Sequence, residues 1–288
     1  MLRPGLVSIT FRSLSPAEVL DLCVAHGLQG VEWGGDVHVP AGDEAAAREV
    51  AMRTADAGRV VAAYGAYYRV GGADAGGEDN SKPGTPQQDW DATLATAVAL
   101  GAPRVRVWCG PRGSAETDDA TRAAVVADAR RIAADAAEAG VRVVAEWHGG
   151  TLTDTTASAV RLLEEVDDPN FLTYWQPRTG DSFGEALDDL DAALPWLDGL
   201  HVFHWRPQAA SESNPHGWPE RRPLADGQGL WPNYIRQAVS GPRGTGGGDA
   251  PDAFALLEFV RDDDPANLPL DAEVLRQWTA WEAKHGGG

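Results

Sequence analysis

Residues 143–155 read VVAEWHGGTLTDT, and the way this stretch ends predicts the fold. An apolar run of the kind found in buried strands stops on Glu146, Trp147 and His148, and two glycines follow. Ionisable side chains are costly in a strand interior unless something at that point uses them. The stretch therefore indicates a buried strand whose exit carries a functional site, as the strands of barrel enzymes do.

The same kind of run recurs along the chain. Short β-branched or aromatic runs alternate eight times with Ala-rich stretches of helical periodicity. The predicted strands are residues 6–10, 30–34, 60–67, 104–108, 141–147, 171–176, 200–205 and 254–260. Eight strand–helix units in 288 residues predict an α/β protein, a single (β/α)8 TIM barrel over 1–288, because a doubly wound sheet would carry a glycine-rich phosphate loop after its first strand.

Two long loops follow predicted strand ends on the face where barrel enzymes place their sites. Residues 69–84 are rich in Gly and Asp and form a candidate lid. Residues 207–230 form a second long loop with several prolines.

The charge balance excludes several classes of partner. The chain has 24 Lys and Arg against 43 Asp and Glu, a formal net charge of -19, so its mean field repels nucleic acid and anionic membranes. No signal-peptide pattern opens the sequence, and no apolar run approaches the roughly 18 residues of a membrane span. These features predict a cytoplasmic protein. The two cysteines form neither a disulfide framework nor a thiolate zinc site.

Polar side chains collect at the ends of the predicted strands. Carboxylates, imidazoles and an amide converge from strands five to eight: Glu146, His148, Gln176, His201, His204 and Glu258. Such a set suits one divalent cation bound through hard oxygens and a nitrogen, with Mn²⁺, Mg²⁺ or Co²⁺ favoured over a thiolate-rich zinc site. Side chains alternate along a strand, so His201 and His204 face opposite ways, and His201 is the predicted ligand with His204 as the fallback.

Five short motifs carry a resemblance to a known family. They are GVE at 30–32, VAEWH at 144–148, LHV at 200–202, DGQGLW at 226–231 and LLE at 256–258. On these motifs the chain resembles the xylose isomerase-like barrel superfamily, in the group usually called sugar phosphate isomerases/epimerases. The resemblance covers nearly the whole chain.

The resemblance implies a divalent metal, commonly manganese. The implied ligands are Glu146, Gln176, His201 and Glu258. The family has Asp where this chain has Gln176, and an amide oxygen can ligate Mn²⁺ without contributing charge. The bound metal, whether Mn²⁺, Mg²⁺, Co²⁺ or Zn²⁺, is then held less tightly and is more electrophilic.

The leading functional prediction is a metal-dependent sugar isomerase or epimerase. Glu146 and Glu258 would remove and return a proton next to a carbonyl through an enediolate, with His148 assisting. Two alternatives stay open. The first is a lyase, dehydratase or C-deglycosidase that eliminates a group from a 3-keto sugar or glycoside, and the second is a non-catalytic sugar-binding subunit.

The predicted ligand is a small-molecule sugar or glycoside, since aromatic side chains stack on sugar faces and aryl rings. The predicted substrate contacts are Glu32, Trp33, Arg106, Trp108, Trp175 and Trp205. Five tryptophans fall at strand ends, and alternation predicts that two or three of them line the pocket. Apolar loop residues are also compatible with a homo-oligomer.

Overall fold

The chain forms a closed barrel of eight parallel strands, which confirms the predicted (β/α)8 TIM barrel. The computed structural model describes residues 2–72, 89–211, 214, 217–242 and 252–285. The strands are β1 (Arg3–Val7), β2 (Gly30–Gly34), β3 (Val60–Val70), β4 (Arg104–Cys109), β5 (Arg142–Glu146), β6 (Phe171–Trp175), β7 (Leu197–Val202) and β8 (Phe254–Leu257). Each strand pairs in parallel with the next, and β8 pairs with β1 to close the barrel.

Helices surround the barrel on the outside. They are α1 (Pro16–Ala25), α2 (Glu44–Asp56), α3 (Trp90–Leu100), α4 (Asp119–Glu138), α5 (Thr156–Val166), α6 (Phe183–Ala193), α7 (Trp231–Ser240) and α8 (Leu268–His285). A capping box between Ser15 and Glu18, with Pro16 in the first turn, defines where α1 begins. None of the described helices is long and apolar enough to cross a membrane.

Two apolar layers lie on the two faces of the strands. The barrel interior is filled by Val7, Ile9, Ala62, Ala63, Val144, Leu172, Tyr174, Phe254 and Leu256. The outward strand faces and the helices form a larger cluster. Because successive side chains on a strand point to opposite faces, this division decides which residues at the strand ends reach the site.

Two strands are shifted as a whole from their predicted limits, and others differ at their ends; the eighth, for example, stops at Leu257 rather than at residue 260. The first runs over Arg3–Val7 rather than 6–10, because Arg3 to Leu6 pair with β8 and Ser8–Phe11 turn into a 3-10 helix. The seventh runs over Leu197–Val202 rather than 200–205. Trp205 leaves the barrel and pairs antiparallel with Arg221 in a short ribbon.

The two predicted loops are only partly loops. The strand β3 extends to Val70, and 73–88 lie outside the described residues, so the candidate lid stays a prediction. The loop 207–230 contains the second ribbon strand, Glu220–Arg221, and a 3-10 turn, Leu224–Gly227. The backbone N–H of Leu224 donates to Asp271 of α8 at 2.9 Å, which fastens this turn to the last helix.

Candidate metal centre and active site

Three buried ionisable side chains meet at the carboxyl end of the barrel. Glu146 at the end of β5, His201 on β7 and Glu258 directly after β8 each offer a ligand atom, and these atoms lie within 4.8 Å of one another. His201 Nδ1 is 3.4 Å from Glu146 Oε1 and 3.3 Å from Glu258 Oε2. The structure thus brings together three of the four residues that the sequence predicts as ligands.

The fourth, Gln176, lies beside them. Its amide nitrogen donates to Glu146 Oε1 at 3.2 Å and to the Trp147 carbonyl at 2.6 Å. Both partners are acceptors, which fixes the orientation of the amide. Its Oε1 is buried and finds no hydrogen-bond partner among the described residues, and the same is true of His201 Nδ1. Buried oxygen and nitrogen atoms without a hydrogen-bond partner, next to two carboxylates, can supply the ligands of a hard divalent cation. These residues therefore fit a metal.

Behind His201 lies a further carboxylate. Glu32 on β2 is fully buried, with Oε2 3.3 Å from His201 Nε2 and Oε1 accepting from Arg106 Nε at 3.0 Å. A histidine that gives its Nε2–H to a carboxylate presents the lone pair of Nδ1 on the other side. Glu32 therefore orients His201 toward Glu146 and Glu258.

The buried carboxylates of the cluster outnumber its cationic side chains. Burial alone would lower the pKa of His201, but the carboxylates of Glu258 and Glu32 raise it well above its ordinary value. Burial alone would raise the pKa of Glu146, whereas the guanidinium of Arg106 and His201 lower it. Arg106 pairs with two of the three buried carboxylates, Glu32 and Glu146, and the third, Glu258, faces His201. With a neutral His201, a divalent cation would balance the remaining charge.

A large cavity of about 1510 Å³ opens above this cluster. Glu146, Glu258 and Arg106 line its floor, and His148 and Trp108 line one side. The ring of His148 stacks on Trp108 with centroids 4.8 Å apart. His148 Nδ1 lies 2.6 Å from the Gly149 carbonyl, so Nδ1 carries the hydrogen donated in this bond and Nε2 is the ring nitrogen not engaged in it.

Glu146 is held by several donors. Its Oε2 accepts a hydrogen bond from Trp108 Nε1 at 2.6 Å and lies 2.9 Å from Arg106 Nη1, while Oε1 accepts from Gln176. Trp108, predicted as a substrate contact, thus lines the cavity and also positions a carboxylate. Glu258 also contacts His201 and borders the cavity, as Glu146 does, but in the described part of the chain no side chain other than His201 faces its carboxylate as a donor.

Two tryptophans predicted as substrate contacts lie away from the cavity, and that prediction is wrong for them. Trp33 is fully buried on the outer face of β2, where its Nε1 donates to Thr54 of α2 at 3.2 Å. Trp175 is fully buried against Trp231 and Tyr234 of α7. Each follows a residue whose side chain faces inward, so alternation turns these indoles toward the helices.

Two further predictions are corrected by the geometry. Glu32 does not border the cavity, because it lies behind His201 and Arg106. His204, the fallback ligand, lies outside the cluster. Its ring packs beside Gly227, where a Cβ added to that glycine would stand 3.2 Å from His204 Nδ1.

The structure adds aromatic residues that the sequence analysis did not single out as contacts. Tyr67, Phe203 and Phe259 line the cavity, as do Trp147 and the predicted Trp205. Trp108, Trp147 and Trp205 are three strand-end tryptophans among the residues that line the cavity. Trp147 follows the inward-facing Glu146, and its indole packs in the outer apolar cluster. Phe259 has a φ of 56°, a backbone conformation that the sequence does not reveal.

Comparison with known proteins identifies the family. Residues 20–240 match the family model described as xylose isomerase-like TIM barrel. The chain belongs to this family. The xylose isomerase-like barrel of this chain therefore agrees with the resemblance carried by its strand-end motifs.

Three relatives of this xylose isomerase-like barrel are informative. A 3-dehydroshikimate dehydratase of Bacillus anthracis is 33% identical over 189 residues, which cover 60% of this chain and 61% of that protein. The crystal structure of a probable 3-DHS dehydratase involved in petrobactin synthesis, from Bacillus anthracis, has a TM-score of 0.69 at 22% identity and covers 96% of this chain and 99% of that one. The structure of a xylose isomerase-like TIM barrel protein from Mycobacterium smegmatis in complex with magnesium has a TM-score of 0.61 at 15% identity. The match covers 96% of this chain and 97% of that one.

Proposed function

We propose that the protein is a metal-dependent lyase. It would remove the proton next to the carbonyl of a cyclic keto sugar and eliminate a group from the following carbon. The sequence leaves this reaction open as an alternative to an isomerase or epimerase. The related dehydratase supports it, because a dehydration is also an elimination.

The single observation that carries the proposal is the unequal environment of the two carboxylates at the cavity floor. Both oxygens of Glu146 already face donors, from Trp108 and Gln176, and Arg106 pairs with the same group. A carboxylate held in this way remains ionised and is a weak base. Glu258 borders the cavity without these donors in the described part of the chain, so it is better suited to accept a proton. One base and one separate acid suit an elimination.

The roles of the side chains follow from this arrangement. A divalent cation held by Glu146, His201 and Glu258, with the amide oxygen of Gln176, would polarise the carbonyl and stabilise the negative charge that develops on its oxygen. Glu258 takes the proton from the adjacent carbon, and the electron pair of that C–H bond forms the new double bond. His148 Nε2 gives a proton to the departing group, which leaves with the electrons of its bond to carbon. Arg106 and Trp108 keep Glu146 in position.

An epimerase is the second candidate, because Glu146 and Glu258 converge on one point and two carboxylates can exchange a proton across a sugar. It requires Glu146 to act as a base despite its donors. The two reactions differ in their products, since epimerisation inverts a carbon and keeps every substituent, whereas elimination releases one.

The experiment uses the full chain loaded with Mn²⁺ and a panel of keto substrates in D₂O. The panel contains 3-dehydroshikimate, a 3-keto aryl glucoside and a 3-keto methyl glucoside, and products are followed by NMR. We expect release of water or aglycone with formation of a conjugated carbonyl. Inversion with solvent deuterium in the recovered sugar would support the epimerase instead, and metal-dependent binding with no turnover of any substrate would favour the sugar-binding subunit.

The proton acceptor is tested with Glu258→Gln, and Glu49→Gln on the exposed face of α2 is the matched control. Loss of the base should lower kcat by about 10²-fold or more while the barrel stays folded by circular dichroism. The control should keep the full rate. A Glu258→Gln protein with an unchanged rate contradicts the assignment.

A further inference from the structure

In the described part of the chain, every arginine that lines the cavity is paired with an acid, and this limits the charge of the substrate. Arg106 at the floor is fully buried between Glu32 and Glu146. The other four arginines lie nearer the mouth and are also ion-paired: Arg12 with Asp36, Arg178 with Asp189, Arg221 with Asp263, and Arg261 with Asp262. An anionic group entering the cavity would have to displace one of these carboxylates.

The balance of charge also opposes an anion. Six carboxylates and five guanidiniums line the cavity in the described part of the chain. Behind the lining, four more carboxylates pair with those guanidiniums: Glu32, Asp36, Asp181 and Asp189. The lining Glu220 in turn pairs with Arg206 and Arg222, so with a divalent cation bound ten negative groups face nine positive charges, and the chain as a whole carries a net charge of -19. A carboxylate or phosphate on the substrate would therefore meet a repulsive field.

One side of the cavity is lined by three aromatic rings that are tilted by 31° and 39° against one another. Phe203, Trp205 and Phe259, which we call the aromatic wall, form a continuous surface with ring centroids 4.4 Å apart for Phe203 and Trp205 and 5.8 Å apart for Trp205 and Phe259. All three border the cavity. The guanidinium of Arg221 lies over the Phe259 ring, 4.3 Å from its centroid, and covers one of its two faces.

Phe259 is held in the wall by an unfavourable backbone conformation. A φ of 56° is uncommon for a bulky residue and persists only where the surroundings impose it. Here the N–H of Phe259 donates to Thr10 Oγ1 at 3.1 Å, which fixes the turn directly after Glu258. Strain of this kind is concentrated at ligand-binding sites, which indicates that the ring is held there to contact a ligand.

The size of the cavity agrees with a ligand larger than one ring. Pockets for small ligands measure about 300–1,000 Å³, and this one is about 1510 Å³. A monocyclic sugar would fill only part of this volume and leave room for a second ring.

We infer that the substrate is an uncharged keto sugar carrying a second ring, which stacks on the aromatic wall, and that the site rejects carboxylated and phosphorylated sugars. This inference rests on the proposed function for the reacting ring. The second ring is either an aryl group or a second sugar, since both present an apolar face. The substrate would then differ in charge from that of a 3-dehydroshikimate dehydratase, although the two chains are related.

Binding is measured by calorimetry on the Mn²⁺-loaded full chain with probes that need no turnover. Phenyl β-D-glucoside and cellobiose carry a neutral second ring, methyl β-D-glucoside lacks it, and phenyl β-D-glucuronide and 3-dehydroshikimate each carry a carboxylate. We expect the better of the first two to bind about tenfold more tightly than the methyl glucoside. The glucuronide should bind at least about tenfold more weakly than the phenyl glucoside. The stronger of phenyl glucoside and cellobiose identifies the second ring.

The aromatic wall is tested with Phe259→Leu, and Phe183→Leu on α6, outside the cavity, is the matched control. Phe259→Leu should reduce the preference for a second ring to about threefold or less and keep the discrimination against the glucuronide. The control should keep both. Metal content is checked in each variant, and Trp205→Leu replaces Phe259→Leu if that protein loses its metal.

Three results would overturn the inference: a glucuronide or 3-dehydroshikimate that binds as tightly as the neutral probes, equal affinity for the methyl and phenyl glucosides and cellobiose, or no binding of any neutral probe at millimolar concentration. These outcomes are independent of catalysis. If the binding preferences hold but no keto substrate reacts, the proposed lyase fails and the ligand class stands. If elimination occurs on a carboxylated substrate, the lyase stands and the ligand class fails.

Discussion

Replacing Glu32 with Gln tests whether the carboxylate behind His201 controls metal binding. The change keeps the shape of a fully buried side chain and removes the charge that faces His201 Nε2 at 3.3 Å and Arg106 Nε at 3.0 Å. An amide can also turn its nitrogen toward His201, which would favour the opposite tautomer and place a proton on Nδ1. Loss of such a supporting carboxylate weakens metal binding by about 10–100-fold.

The same substitution should also affect stability, and the structure sets the size of the effect. A hydrogen bond to a charged group contributes about 1.5–3 kcal/mol. Breaking a buried ion pair completely costs about 3–5 kcal/mol, but Arg106 keeps Glu146 at 2.9 Å. We therefore expect the free energy of unfolding of the metal-free protein to fall by about 2 kcal/mol.

The metal Kd is measured by competition with a chelator, and the unfolding free energy by urea denaturation. Glu49→Gln, an exposed carboxylate paired with Arg53, is the control and should change neither quantity. His201→Ala should abolish metal binding whatever Glu32 does. If Glu32→Gln binds Mn²⁺ as tightly as the native protein while His201→Ala does not, His201 is a ligand and the proposed orientation by Glu32 is wrong.

Three other perturbations have defined outcomes. Gln176→Asp adds a negative charge beside Glu146, so the affinity for Mn²⁺ measured by calorimetry should rise about tenfold. The metal becomes less electrophilic, which should lower turnover. Weaker Mn²⁺ binding would count against Gln176 as a ligand. Trp108→Phe removes the 2.6 Å donor to Glu146 and should lower kcat about tenfold in the steady-state assay of elimination, and an unchanged rate would show that this bond is dispensable. Burial raises the pKa of Asp271 to about 6. Between about pH 4 and 6 the native state binds a proton at Asp271 that the unfolded state does not, so this group's contribution to stability is lost as pH rises through that window. The unfolding free energy of Asp271→Asn, measured with urea, should lack this loss between about pH 4 and 6. Identical pH profiles of the two proteins would contradict the shift.

The barrel was predictable because its evidence is local. Each strand is a short apolar run and each helix has its own period, so eight units can be counted without knowing how they pack. The errors in the strand limits come from contacts between distant residues. Trp205 continues the apolar run of β7, but its pairing with Arg221 takes it out of the barrel. The residues around Arg3 do not form an apolar run, yet Arg3 to Leu6 belong to β1 because they pair with Phe254 to Leu257.

The site was predictable where strand alternation applies. Glu146 and His201 lie on regular strands, and their inward direction follows from the period of two. The same rule assigns Trp33 and Trp175 to the outside once Glu32 and Gln176 are placed inside. Phe259 could not be assigned in this way. It follows the end of β8, and its ring reaches the cavity because of a positive φ and a hydrogen bond to Thr10, neither of which is written in the local sequence.

The neutral amide of Gln176 and the carboxylate of Glu32 have linked electrostatic consequences. Glu32, Glu146 and Glu258 contribute three negative charges, and Arg106 contributes one positive charge. With a neutral His201, one divalent cation brings this set to zero, and an Asp in place of Gln176 would leave it negative. A neutral set leaves no charge for the substrate to compensate. The arginines at the mouth are already paired with carboxylates, so they leave no uncompensated positive charge for an anionic substrate. The charge of the metal cluster and the charge of the cavity wall therefore point to the same kind of ligand, a sugar without an ionised group.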